Sequence, residues 1–241
     1  MNLTDLRIGA DRFLALKWAN YAFELSQTDQ DPDSLYKSLR KYLDYEIEGD
    51  VSSRKTSNQL KRLWLVNDDR YQSLRKHAMS LHVDKYPEYL PLLHLGMAMA
   101  AFPVYRETIR AIGSLNRIIQ PIPKQSVSDR VLETFGNRSS IPRIVVRVIQ
   151  TLADWRIIDV TEGYIDITAS PIKSYEFKEW FVSSLVNLYS EPGLSIAEFN
   201  LIPEKLDFEI NDLREIIQNS TTLSLTRGVD GREVIKTAYL F

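Results

Sequence analysis

Residues 126–168 read SVSDRVLETF (126–135), GNRSS (136–140), IPRIVVRVIQTLADWRIID (141–159) and VTEGYIDIT (160–168), and their hydrophobic spacing decides the fold. Apolar residues recur at three and four in the first segment and more strongly in the third, the pattern of helices that bury one face. GNRSS between them is a polar turn. The fourth segment alternates and breaks at Glu162-Gly163, which predicts strand, tight turn, strand. In the third segment Ile144, Val148, Leu152 and Trp155 make the buried stripe. Arg143, Arg147 and Gln150 follow one another at four and three, so they share the opposite face. Pro142 suits a first helical turn, where the N–H that proline lacks has no partner to lose.

On the N-terminal side, the spacing predicts helices over 10–26, 34–46, 53–65, 70–83, 90–102 and 104–119. Asp33 or Ser34 is the expected cap of the second and Ser53 of the third. Pro103 is expected to end or kink the fifth. PIPKQ at 121–125 is the best internal boundary, separating a helical domain of residues 1–120 from a C-terminal region of residues 121–241. Beyond it, helices are predicted over 174–190, 195–200 and 204–219, the first with Tyr175, Phe177, Phe181, Leu185 and Leu188 on its core face. Leu223–Thr226, a turn at Asp230-Gly231 and Glu233–Leu240 predict a terminal hairpin. Helix, helix, hairpin therefore occurs twice, at 121–168 and 194–241, with no residue-level repeat between the two. The expected fold class is mainly α: a helical bundle with short β-hairpins.

The 241 residues are 44% hydrophobic, enough for a sizeable core. The net charge of −2 hides a segregation: −4 over residues 1–51, +9 over 52–156 and −7 over 157–241. A basic middle attracts anions locally unless the acidic ends fold back on it. The longest apolar run, LLHLGMAMAAF, is too short to span a bilayer and predicts a buried helix. MNLTDLRIGADRF lacks the apolar core of a secretory signal, so no membrane association is expected. The absence of cysteine excludes disulfides, thiol nucleophiles and cysteine-based zinc sites, and fits a reducing cytoplasm, the expected location.

Little in the chain points to catalysis. His77 and His82 are five apart, off a common helix face, and neither they nor His94 belongs to a metal-ligand motif. DQDPD at 29–33 lacks the length, glycine and closing glutamate of a calcium loop, and Asp68-Asp69 is a bare acidic pair. With nine glycines and no phosphate-cradling or nucleophile-elbow motif, no catalytic residue, metal, cofactor or small-molecule substrate is expected.

What the chain does offer is anion-binding chemistry. Asn137, Arg138, Ser139 and Ser140 form the turn before the third segment, where side chains and free helix N–H groups suit phosphate oxygens. Arg143 and Arg147 suit guanine and Gln150 suits adenine, each by paired hydrogen bonds. A second basic candidate is the helix at 53–65, where Arg54, Lys55, Lys61 and Arg62, with Ser52, Ser53 and Asn58, lie in a stretch (52–67) free of acids. The acidic last third, with Glu204, Asp207, Glu209, Asp212 and Glu215, would repel phosphates. TAYLF at the end is expected to pack Phe241 into the core or to present it to a partner.

Residues 121–168 resemble the winged helix-turn-helix superfamily. The phrase LADWRIID is similar to the close of its recognition helix, a leucine, an aromatic residue and a short strand. Arg156 stands where the family often has glycine, and the wing tip carries Glu162 rather than a cation. More loosely, the basic helix, the helical middle and the winged tail resemble BrxA-like accessory proteins of bacterial BREX phage-defence systems. The resemblance implies a non-enzymatic protein that binds double-stranded DNA within a larger assembly of protein subunits. The competing expectation is an adaptor whose winged helix docks protein.

Overall fold

The computed structural model describes residues 9–28, 31–66, 71–136, 138–168, 170–189, 193–228 and 231–238. The chain is mainly helical, with a few short antiparallel strands. Its N-terminal half holds α1 (Leu16–Ser26), α2 (Pro32–Glu46), α3 (Asp50–Leu60), α4 (Gln72–Ser80), α5 (Leu90–Ala101) and α6 (Pro103–Asn116). The first helix starts later than its apolar spacing predicts, because neighbours take up the backbone of residues 14–16. Leu14 N–H donates to Thr151 Oγ1 at 2.9 Å, Leu14 C=O accepts from Trp155 Nε1 at 2.9 Å, and Leu16 N–H donates to Asp154 Oδ2 at 2.6 Å. The cap of α2 is Asp31, not Asp33 or Ser34; its carboxylate accepts from the N–H groups of Asp33 and Ser34. Ser53 is no cap either: α3 begins at Asp50, and the buried Ser53 hydroxyl donates to Asp44.

Two buried polar side chains shape this half. The last turn of α3 widens into a π-turn over Lys61–Leu65. Arg75, 1% exposed, donates to the carbonyls of Arg62, Leu63 and Val66, and so satisfies acceptors that the helix end leaves without partners. His94 on α5 is fully buried; its Nδ1 accepts from Trp64 Nε1 at 3.1 Å, so its Nε2–H is left to donate to Asn20 Oδ1 at 2.8 Å. Pro103 ends α5 and opens α6, with Phe102 extended between them.

From α6 onward the chain builds two units of the same order. In the first, α6 leads to β1 (Ile122–Pro123), α7 (Lys124–Phe135), α8 (Ile141–Asp154), β2 (Ile158–Thr161) and β3 (Tyr164–Ile167). The sheet order is β1-β3-β2, all antiparallel, with Ile122 opposite Ile165. In the second, α9 (Tyr175–Asn187) leads to an extended Leu194, α10 (Ile196–Leu201), α11 (Leu213–Asn219), β4 (Leu223–Arg227) and β5 (Glu233–Thr237). Leu194 bridges antiparallel to Ile235 of β5, which also pairs with β4. In each unit, therefore, the extended residue after the first helix closes on the last strand, which becomes the central one. Ile165 and Ile235, fully buried, are the matching central residues.

The two units share one continuous core with the N-terminal helices. A Cβ at Gly113 of α6 would collide with the backbone oxygen of Pro203, so only glycine lets this segment of the second unit lie on the first. Residues 204–212, predicted as helix, are a short 3-10 turn and then irregular; Leu206, Phe208 and Ile210 are buried in alternation, a period of two rather than 3.6. Tyr175, predicted inside, is 38% exposed, with its hydroxyl donating to Ile216 C=O. No helix among the described residues is long and apolar enough to cross a membrane.

Candidate nucleic-acid interface

Helix α8 is strongly amphipathic. Ile141, Ile144, Val145, Val148, Ile149, Thr151 and Leu152 are buried, while Arg143, Val146, Arg147 and Gln150 are exposed. The sequence therefore orients the helix: its apolar stripe faces α6, α7 and β2, and its cations are left in solvent. Gly136, at φ +73, ends α7 in the left-handed conformation that glycine adopts freely. Ser139 and Ser140 are exposed and Arg138 half-buried at the entry to α8, whose first turn contains Pro142. Among the described residues, neither Arg143 nor Arg147 meets a carboxylate. Arg147 Nη1 instead donates to Gln150 Oε1 at 2.9 Å, so Gln150 braces the guanidinium and leaves its other N–H groups free.

The helix ends at Asp154, and Arg156 takes φ +57, in the left-handed region where the family resemblance puts glycine. The hairpin that follows turns through Glu162 at φ +50 and Gly163 at φ +91, a two-residue turn closed by the Thr161–Tyr164 pair. Lys124 N–H donates to Gly163 C=O at 3.0 Å, fixing the hairpin tip to the start of α7. This contact brings in a cation that the sequence places in a connector. Lys124 lines two neighbouring grooves along α8, of about 480 and 260 Å³, each also lined by Val146 and Ile149. The larger adds Phe13, Ala153 and Val160 together with Arg147, Gln150 and Asp154, and its accessible lining is mostly apolar. Phe13 reaches α8 from the N-terminal segment and Lys124 from the start of α7, and no sequence pattern places either beside α8.

The second basic candidate lies apart from the first. Helix α3 packs on α1 and α2, away from α8. The cations of α3 and of the π-turn after it find partners from other elements: Lys55 faces Asp11 at 3.6 Å, Lys61 lies over the Tyr36 ring at 4.8 Å, and Arg62 over the Phe102 ring at 4.9 Å. Ser52 is half-buried, and Asn58 accepts from the Tyr36 hydroxyl. Arg54 is exposed, without such a partner among the described residues. The structure thus gathers Arg138, Ser139, Ser140, Arg143, Arg147, Gln150 and Lys124 around α8, and leaves Arg54, Lys55, Lys61 and Arg62 elsewhere. Asn137, Asp29, Asp68, Asp69, Asp230, Leu240 and Phe241 lie outside the described residues.

A cluster that the sequence does not reveal joins the two units. Glu204, fully buried, accepts from Arg110 at 2.9 Å and from the Tyr189 hydroxyl at 2.8 Å, with Arg106 at 3.4 Å. Glu107 takes two further bonds from Arg110. Burial opposes the Arg110 charge, but Glu204, Glu107 and Tyr189 outweigh it and hold its pKa above the ordinary value. Burial also raises the pKa of Glu107, against the pull of Arg110 and Arg106. Every charge here has a partner within the chain, so the cluster fastens the units rather than offering a site. Among the described residues, no group of His, Asp and Glu is arranged to hold a metal ion. His94 is closed to ligands, since burial pushes its pKa down to about 3 and both ring nitrogens are occupied. His82 pairs with Glu176 at 3.5 Å on the surface. No family model, curated protein or solved structure matches the chain.

Proposed function

We propose that residues 103–167 are a winged helix-turn-helix and that the protein binds double-stranded DNA by laying α8 in the major groove. The observation that carries this is the solvent face of α8, where Arg143 and Arg147 stand exposed without a carboxylate partner among the described residues. A helix in the major groove needs such a face: cations to replace counterions on the phosphates, and planar donors to reach base edges. Arg138, Ser139 and Ser140 would meet the backbone at the helix entry, and Lys124 beside the hairpin would meet it on the other flank. The order β1-β3-β2 and the two-residue hairpin fit a wing. On this reading the protein is non-enzymatic. The loose resemblance to BrxA-like proteins supports a place in a multi-protein bacterial defence assembly.

Residues 175–237 are, on the same reading, a second winged unit used for packing. A rival role for the first unit is protein docking, favoured by the mostly apolar groove of about 480 Å³ beside Val146. Titration of a labelled 30-bp duplex with the full chain at low salt separates the two. The DNA reading expects Arg143→Ala with Arg147→Ala to lower affinity about thirtyfold, at roughly 1 kcal/mol per arginine, without changing the melting temperature. A parent that does not bind duplex at low salt leaves the docking reading in place.

A further inference from the structure

We infer that α8 reads the 5-methyl group of a pyrimidine beside a guanine, with Val146 as the residue that senses it. The inference rests on the DNA reading above and adds a specificity to it. Val146 is 48% exposed, and it sits on the flank of the polar stripe nearest Lys124: three residues after Arg143, next to Arg147 and four before Gln150. A lone exposed valine on a helix is ordinary. This one borders Arg143 and Gln150 at the edge of the face proposed to meet the bases, where a polar side chain could have added a hydrogen bond. The major-groove edge of a pyrimidine carries one apolar group, the 5-methyl of thymine or of 5-methylcytosine.

The surroundings of Val146 leave room for such a group against carbon. The grooves on either side of it share Val146, Ile149 and Lys124, so an apolar wall continues inward from the exposed valine to a residue 3% exposed. A methyl resting there would lose its water and touch carbon on two sides. Arg147, held by Gln150 at 2.9 Å, is aimed from the next position along the helix, and Arg143 lies one turn before. Either guanidinium suits the O6 and N7 of a guanine adjoining the methylated pyrimidine. The shared chemistry is a 5-methylpyrimidine next to guanine, and two bases supply it.

The test starts from random 30-bp duplex pools enriched on the purified full chain, one made with ordinary cytosine and one with 5-methylcytosine. Each enriched pool is then resynthesised with uracil in place of thymine, or with cytosine in place of its methylated form, and its affinity is measured. Loss of the methyl group is expected to weaken binding by the parent about fourfold, the effect of one buried CH₂-sized group. Sensitivity to uracil identifies thymine as the base; sensitivity to demethylation identifies 5-methylcytosine. Val146→Ala, at an exposed position that leaves the melting curve unchanged, is expected to bind methylated and unmethylated pools alike. Enrichment followed by indifference to both exchanges overturns the inference and leaves DNA binding standing. Indifference of the parent and of Val146→Ala to the same degree has the same meaning. Failure of either pool to enrich at 50 mM salt overturns the DNA reading and the inference with it.

Discussion

Residues 103–167 and 175–237 run through the same sequence of elements and close their sheets the same way, yet only the first keeps an open cationic helix. Helix α8 has 14 residues and exposes Arg143 and Arg147; α11 has seven, and its exposed Arg214 faces Glu233 of the neighbouring strand at 3.7 Å. The first helices are alike, since α6 and α9 are both largely buried. α9 is buried around Trp180, Phe181 and Leu185, with Trp180 lying against Gly96 of α5 where a Cβ would not fit. The difference thus lies in the last helix of each unit: α11 pairs its cation with a neighbouring strand, and α8 leaves Arg143 and Arg147 to solvent. The difference teaches that topology and surface chemistry vary separately: both units satisfy the same backbone pairing, and the side chains on one helix face decide what each can meet.

The contact between the units is the most sensitive place to break the comparison. Gly113→Ala is expected to cost about 3 kcal/mol, because the new methyl meets backbone rather than a flexible side chain. Thermal unfolding would show this as a drop of several degrees. Glu204→Gln removes the negative charge shared by Arg106, Arg110 and Tyr189 and replaces one acceptor oxygen with a donor. The expected loss is about 2 kcal/mol in a denaturant titration, below the usual figure for a broken buried pair because Arg110 is about one-third exposed.

His94 sharpens the comparison from below, since its ring lies 5.4 Å from Trp155 at the end of α8. Its folded pKa is depressed to about 3, so the unfolded chain takes up this proton first as pH falls below its ordinary value. The stability it allows is complete above about pH 6.5 and declines between there and about pH 3, by at most about 1.4 kcal/mol per pH unit. His94→Gln should lose stability at neutral pH but show a shallower acid slope than the parent in denaturant titrations at several pH values. The smallest effect belongs to the turn after α8. Arg156→Gly relieves a left-handed residue and should be neutral or stabilising by up to about 1 kcal/mol, read from the melting temperature.

The parts of this architecture legible in the sequence are those carried by local periodicity. Helix α8 shows itself because its apolar residues fall every three or four and its polar ones fall between. The hairpin at 158–167 shows itself because Glu162-Gly163 interrupts an alternation. β1 is two residues long and has no pattern to show. Residues 206–210 were open to misreading, since their buried residues alternate in a stretch whose acids and leucines also suit a helix. The cation-bearing face of α8 was legible for the same reason as its core. Lys124 and Phe13 beside it were not, nor was Glu204 beneath Arg106, which lies 98 residues away in the chain. Such partners are chosen by tertiary packing. The acid-free stretch at 52–67 likewise left its cations seeming unpaired, whereas Asp11 and the rings of Tyr36 and Phe102 reach them from other elements.

The most direct test of the central claim is the salt dependence of duplex binding, measured by fluorescence anisotropy for three proteins: the parent, Arg143→Ala with Arg147→Ala, and Arg214→Ala with Gln218→Ala. The parent's log affinity is expected to fall linearly with log salt, the α8 variant to bind about thirtyfold more weakly than the parent at the same salt, and the α11 variant to follow the parent. Equal affinities for the parent and the α8 variant across the salt range, or a larger loss from the α11 variant, would contradict the account.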